Sequence, residues 1–120
     1  MSRLIPLSVV TAAAVVAMAT GQAGAHAGLA SATPAPNAVV APTRTVSLTF
    51  SGRIVANFSS FDVTDAAGNK AVVTVAHARD GKTMTGTLAR PLARGLHRVD
   101  WRIASIDGHR MTGAYVFTVR

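Results

Sequence analysis

The stretch Arg98-Val-Asp-Trp-Arg-Ile103 decides the fold, because apolar and charged side chains alternate along it without a break. Successive side chains of an extended strand point to opposite faces of a sheet. Val99, Trp101 and Ile103 therefore share one face, and the two arginines and the aspartate share the other. The pattern predicts a strand with its apolar face in a core and its charged face in water.

Short runs of the same kind flank this strand on both sides, and no segment after residue 25 has helical periodicity. Asp80-Gly81 is the strongest turn signal between two runs, and the segment 65–69 is a hairpin-like turn between two others. The strand candidates are 29–32, 46–50, 61–63, 71–76, 83–88, 98–103 and 113–119. The sequence thus predicts an all-β domain: a seven-stranded, immunoglobulin-like Greek-key sandwich or barrel.

Residues 1–25 have the pattern of a signal peptide. An early Arg3 precedes an apolar, alanine-rich run, and the segment ends in Ala23-Gly24-Ala25. The apolar run is shorter than the roughly 20 residues of a membrane span. We expect cleavage before His26, with a second A-x-A frame two residues later as the alternative, and a mature domain of residues 26–120 in the periplasm or outside the cell.

The chain is basic, with 12 Lys and Arg against 5 acidic residues and a formal net charge of +7. The cations are scattered and do not cluster with aromatic side chains, which argues against a nucleic-acid partner. No cysteine is present. A bound metal would therefore be held by nitrogen and oxygen donors or by methionine sulfur.

Of the four histidines, His77 and His97 are interpreted as surface side chains without a ligand motif. Asp107-Gly108-His109 is different, because residues two apart in an extended chain project to the same face and can reach one ion together. The alternative is a simple turn between the last two strands that leaves His109 exposed. The D-x-H spacing by itself does not decide between them.

The predicted cleavage strengthens the metal hypothesis, because a histidine at a new N-terminus offers its α-amine and its imidazole to one ion. With His109 and the carboxylate of Asp107 the donors become three nitrogens and one oxygen. Tetragonal N/O coordination favours Cu(II), and the Irving–Williams order places copper ahead of zinc, which could use the same ligands. The sequence predicts one Cu(II) held by His26, Asp107 and His109.

The chain resembles the CopC-like copper resistance proteins over essentially its whole mature length. The resemblance rests on the opening His26-Ala-Gly-Leu-Ala-Ser-Ala-Thr-Pro34, on Thr64-Asp-Ala-Ala-Gly68, and above all on Trp101-Arg-Ile-Ala-Ser-Ile-Asp-Gly-His-Arg-Met-Thr-Gly113. It implies an exported seven-stranded Greek-key β-barrel or sandwich that carries or buffers copper, with a membrane copper transporter of the CopD type as a partner. The family's Cu(II) ligands correspond to His26, Asp107 and His109.

The chain departs from some relatives, which also hold Cu(I) in a methionine-rich loop. The corresponding segment, 52–58, contains no methionine, and Met84 and Met111 stand apart. We therefore expect no Cu(I) site. Two alternatives remain open: a copper-dependent oxidative enzyme, for which Asp107 would block the open coordination position, and a metal-free immunoglobulin-like domain.

Overall fold

The computed structural model describes residues 27–120. The predicted signal segment 1–25 and the proposed ligand His26 lie outside the described residues. The strands are β1 (Leu29–Thr33), β2 (Val39–Val40), β3 (Thr45–Phe50), β4 (Ser60–Asp65), β5 (Val73–His77), β6 (Thr83–Leu88), β7 (Gly95–Ala104) and β8 (Arg110–Val119). A short 3₁₀ helix covers Ala56–Phe58.

The strands form two four-stranded sheets, ordered β1-β3-β6-β5 and β2-β8-β7-β4. This confirms the predicted all-β sandwich, with two separate sheets and no closed barrel. The prediction of seven strands missed β2, which pairs parallel with the end of β8 through Val39 and Val40. Two residues are too few for an alternating pattern, and pairing with β8 makes this segment a strand.

The core lies between the two sheets and contains the residues that the alternation of apolar and polar side chains predicted to be buried. Val99 and Ile103 are buried on β7, and Phe117 and Val119 are buried on β8. Phe50 of the first sheet meets Trp101 of the second edge to face, with ring centroids 5.1 Å apart. Burying an apolar side chain of this size stabilises the fold by about 1.5–3 kcal/mol, so these residues hold the sheets together.

Gly113 makes the close packing of Trp101 possible. The two residues are partners in the β7–β8 register, and a Cβ on Gly113 would collide with the indole ring. The indole therefore lies over the bare backbone of β8. The packing of Trp101 on Gly113 therefore fixes the position of β8, the strand that directly follows the Asp107–His109 segment.

The two predicted turns occur as expected. Asp80-Gly81 joins β5 to β6, which pair antiparallel from Val73 opposite Leu88 to His77 opposite Met84. The 65–69 turn forms a narrow hairpin, with Thr64 bridged to Lys70, before the chain crosses from one sheet to the other. No helix among residues 27–120 is long and apolar enough to cross a membrane.

Candidate metal centre

The segment between β7 and β8 is a tight turn, so the structure has the second of the two conformations that the spacing left open for residues 107–109. The Ser105 amide donates to the His109 carbonyl at 2.8 Å, and the Gly108 amide donates back to the Ser105 carbonyl at 2.9 Å. Gly108 has a φ of +93°, a conformation that favours glycine. The glycine is needed for the turn itself, and the turn brings Asp107 and His109 together.

Asp107 and His109 are in direct contact. The Nδ1 atom of His109 lies 3.1 Å from Oδ1 of Asp107, and the His109 amide donates to the same oxygen, also at 3.1 Å. The Ser105 hydroxyl donates to Oδ1 as well. These hydrogen bonds, first that of Ser105 and then those of His109, hold the pKa of the Asp107 carboxyl well below its usual range. An ionised carboxylate and an imidazole thus stand side by side near neutral pH.

The turn is hydrogen-bonded to the loop between β3 and β4, which contains the 3₁₀ helix. The Val55 amide donates to the Ala104 carbonyl at 2.8 Å, and the Ile106 amide donates to the Arg53 carbonyl at 3.2 Å. Buried Ser59 joins the two segments, because its hydroxyl donates to the Val55 carbonyl and accepts from the Ala104 amide. The loop therefore fixes the position of the turn.

The same loop holds the beginning of the described chain. Ala27 is buried, and the nearest heavy atom to a Cβ built on Gly52 would be the Ala27 Cβ at 3.4 Å. The Gly28 amide donates to the Ser51 hydroxyl at 2.9 Å, and the Ser51 amide donates to the Gly28 carbonyl at 2.8 Å. Residue 27 is thus anchored on the loop that carries the Asp107–His109 turn.

The other two histidines lie on β7 and β5, outside this turn. The expectation that His97 is a surface residue is wrong: it is only 4% exposed, its Nε2 lies 2.8 Å from the Ala93 carbonyl oxygen, and its ring stacks on Phe117. His97 has the same strand parity as Val99, so the alternation of β7 could have placed it in the core. His77 is half-buried at the end of β5, in the other sheet.

Ser105 is the residue that the sequence prediction missed. It is buried, and it has the strand parity of core residue Ile103. A buried hydroxyl needs a hydrogen-bond partner, and this need is the signal that could have pointed to Ser105.

Within residues 27–120 no group of three or more His, Asp, Glu or Cys residues is arranged to hold a metal ion.

Comparison with known proteins places this chain in a family. The CopC domain model matches residues 29–120. The chain is 30% identical to copper resistance protein C of Xanthomonas campestris pv. juglandis, over 98% of this chain and 97% of the relative. It is 36% identical to copper resistance protein C of Pseudomonas syringae pv. tomato, over 94% and 95% of the two chains.

Solved structures agree with the sequence comparisons. The crystal structure of PcoC, described as a methionine-rich copper resistance protein from Escherichia coli, superposes with a TM-score of 0.75 at 35% identity. The match covers 80% of this chain and all of PcoC. The protein is a β-sandwich of the copper resistance class. Within that class it belongs to the CopC family.

Proposed function

We propose that this protein is an exported copper carrier that binds one Cu(II) through the amine and imidazole of His26, the carboxylate of Asp107 and the imidazole of His109. The observation that carries the proposal is the anchoring of Ala27 beside Gly52, on the loop that is hydrogen-bonded to the turn. One residue further back, a new N-terminus starting at His26 would begin close to Asp107 and His109.

The donor set suits Cu(II). Asp107 is held ionised by its hydrogen bonds, so its carboxylate needs no deprotonation before it binds a cation. A terminal amine and two imidazoles add nitrogen donors, and tetragonal sites of nitrogen and oxygen favour Cu(II). The relatives named copper resistance protein C support copper as the ion. We expect sequestration or transfer of copper, with a CopD-type membrane transporter as a partner.

Binding of Cu(I) is expected to be weak. Met84 is fully buried in the core, and Met111 is half-buried on β8. The loop 52–58 contains no methionine, whereas the similar PcoC is described as methionine-rich. A buried single thioether is a packing group and is not available to an ion that arrives from solvent.

A carrier fits these residues better than an oxidative enzyme. Oxygen chemistry on copper needs an open coordination position, which the Asp107 carboxylate would fill. A copper-loaded preparation that oxidises ascorbate or a polysaccharide at turnover rates would favour the enzyme instead.

Ser105→Ala should weaken Cu(II) binding by about 10-fold, because loss of a group that orients a metal ligand typically costs 10- to 100-fold in affinity. The substitution removes the hydroxyl that lowers the pKa of Asp107. Competition titration against a chelator measures the effect. Ser47→Ala is the matched control, since it removes a hydroxyl that contacts Thr85 on the outer face of the other sheet. Equal affinities for the two variants would contradict a positioning role for Ser105.

The proposed function is tested on protein purified from the exported fraction. Intact mass should correspond to a chain that begins at His26, and metal analysis should find one copper per chain. Electron paramagnetic resonance should give a tetragonal, nitrogen-rich Cu(II) signal. A chain that begins at Gly28 would lack the proposed chelate and would overturn the site.

A further inference from the structure

We propose that the surface around the Asp107–His109 turn is a docking site for an acidic copper-exchanging protein. Four exposed side chains form this surface, which we call the collar: Arg53, Phe58, Ile106 and Arg110. The proposal rests on the proposed function, because it treats the turn as the place where copper enters and leaves.

The collar contains two large apolar side chains that face solvent. Phe58 is 61% exposed and Ile106 is 67% exposed. Phe58 ends the 3₁₀ helix, and Ile106 directly precedes Asp107. Their two segments are joined by the Val55–Ala104 and Ile106–Arg53 backbone hydrogen bonds, so both side chains belong to the end of the molecule that carries the turn.

Two arginines accompany these apolar groups. The guanidinium carbon of Arg110 lies 5.7 Å from the centroid of the Phe58 ring, a cation–π contact. The Arg53 side chain lies against the turn between β5 and β6, where a Cβ on Gly81 would come within 2.9 Å of its Nε. The collar thus combines apolar surface with two fixed positive charges.

Neither arginine forms a salt bridge with a carboxylate in the part of the chain from residue 27 onward. The salt bridges found there use Lys70, Arg98, Arg102 and His109. Asp80, beside Gly81, accepts hydrogen bonds from Lys82 and Thr83, and Asp107 accepts from Ser105 and His109. On the outer face of β7, by contrast, Arg98 and Arg102 pair with aspartates. When the Asp107 carboxylate is bound to the copper ion of the proposed function, the two arginines leave the collar with net positive charge.

These features fit an acidic protein surface. Interfaces are enriched in aromatic residues and arginine, and complementary charge accelerates the encounter. A second copy of this chain would present the same positive charge and be repelled. Polybasic membrane contacts use clusters of four to eight Lys or Arg, and the collar has two. We therefore assign the surface to a partner protein with carboxylates around an apolar centre.

Docking there would place the acceptor's ligands beside the bound ion. Copper remains Cu(II) throughout, because each bond to a donor of this chain is replaced by one to a nitrogen or oxygen donor of the acceptor. Protons released by the acceptor's donors pass to the freed His26 amine and, for the remainder, to the buffer. No oxidant or reductant is needed.

The test measures Cu(II) transfer from the loaded mature protein to synthetic peptides by stopped-flow absorbance. The acceptor peptide has the copper-binding start Gly-Gly-His followed by a segment of alternating Asp and Leu, and the reference peptide has Asn in place of Asp. We expect the acidic peptide to react about 10-fold faster at low ionic strength, with the difference shrinking at high salt.

Arg53→Gln combined with Arg110→Gln should abolish the difference between the two peptides. Phe58→Ser combined with Ile106→Ser should slow transfer to the acidic peptide.

Arg120→Gln is the matched control, because this exposed arginine follows the far end of the ten-residue strand that Arg110 begins. It removes one charge and should leave the acidic-to-neutral rate ratio unchanged. In the metal-free protein, an Asp/Leu peptide without the copper-binding start should shift the amide resonances of Phe58 and Ile106, which reports docking without copper.

Three results would overturn the docking proposal. The first is equal transfer rates to the acidic and neutral peptides while equilibrium Cu(II) affinity is intact, which would leave the proposed function standing. The second is collar-dependent binding to phosphatidylglycerol vesicles with no shift from the acidic peptide, which would assign the surface to lipid. The third is absence of Cu(II) binding altogether, which would remove the proposed function and the docking proposal together.

Discussion

Retaining Ala25 ahead of His26 should lower Cu(II) affinity by at least about 100-fold relative to the mature protein. The extension converts the terminal amine into a peptide amide, which removes one donor and breaks the chelate ring that it forms with the imidazole. Loss of a group that only orients a ligand already costs 10- to 100-fold, so loss of a ligand should cost at least the upper end of that range. Every side chain of the mature protein stays the same.

The comparison is made by chelator competition on three proteins: the mature chain, the chain with Ala25 retained, and a control with an alanine added after Arg120. All three should have the same far-ultraviolet circular dichroism, because neither addition touches the core. Only the N-terminal extension should change the Cu(II) resonance spectrum. Indistinguishable affinities would show that the amine is not a ligand, and the proposed site would have to be withdrawn while the CopC fold would stand.

His109→Ala should lower Cu(II) affinity by about 100-fold or more, and His77→Ala should leave it nearly unchanged. His109 contributes a ring nitrogen beside the ionised carboxylate of Asp107, whereas His77 is at the end of β5 in the other sheet. The pair is well matched, because each substitution removes one imidazole from a residue that is not fully buried.

Chelator competition and electron paramagnetic resonance decide this prediction, with the nitrogen hyperfine pattern reporting loss of an imidazole. His97→Ala is not a suitable control, because His97 is buried against Phe117 and its loss would leave a cavity in the core. Equal losses of affinity for His77→Ala and His109→Ala would mean that copper binds adventitiously to surface histidines.

Much of the candidate site could be predicted from residue types and spacing. Asp107-Gly108-His109 was identifiable as a candidate metal-binding segment, but its geometry was not, because spacing alone cannot tell an extended segment from a turn. The turn is set by the Ser105–His109 and Gly108–Ser105 hydrogen bonds and by the left-handed conformation of Gly108. Ser105 acts on Asp107 through the hydrogen bond from its hydroxyl to the carboxylate, and no local sequence pattern specifies that contact.

The sequence by itself determined the all-β fold, the apolar face of β7 and the turn at Asp80-Gly81, because side-chain alternation and turn chemistry are local properties of the chain. The tertiary structure alone decided the pairing of Val39–Val40 with β8, the anchoring of Ala27 on the loop that supports Asp107, and the gathering of the collar at one end. These depend on contacts between residues far apart in sequence. Hydrogen bonds and close packing between distant segments fix them only when the chain is folded.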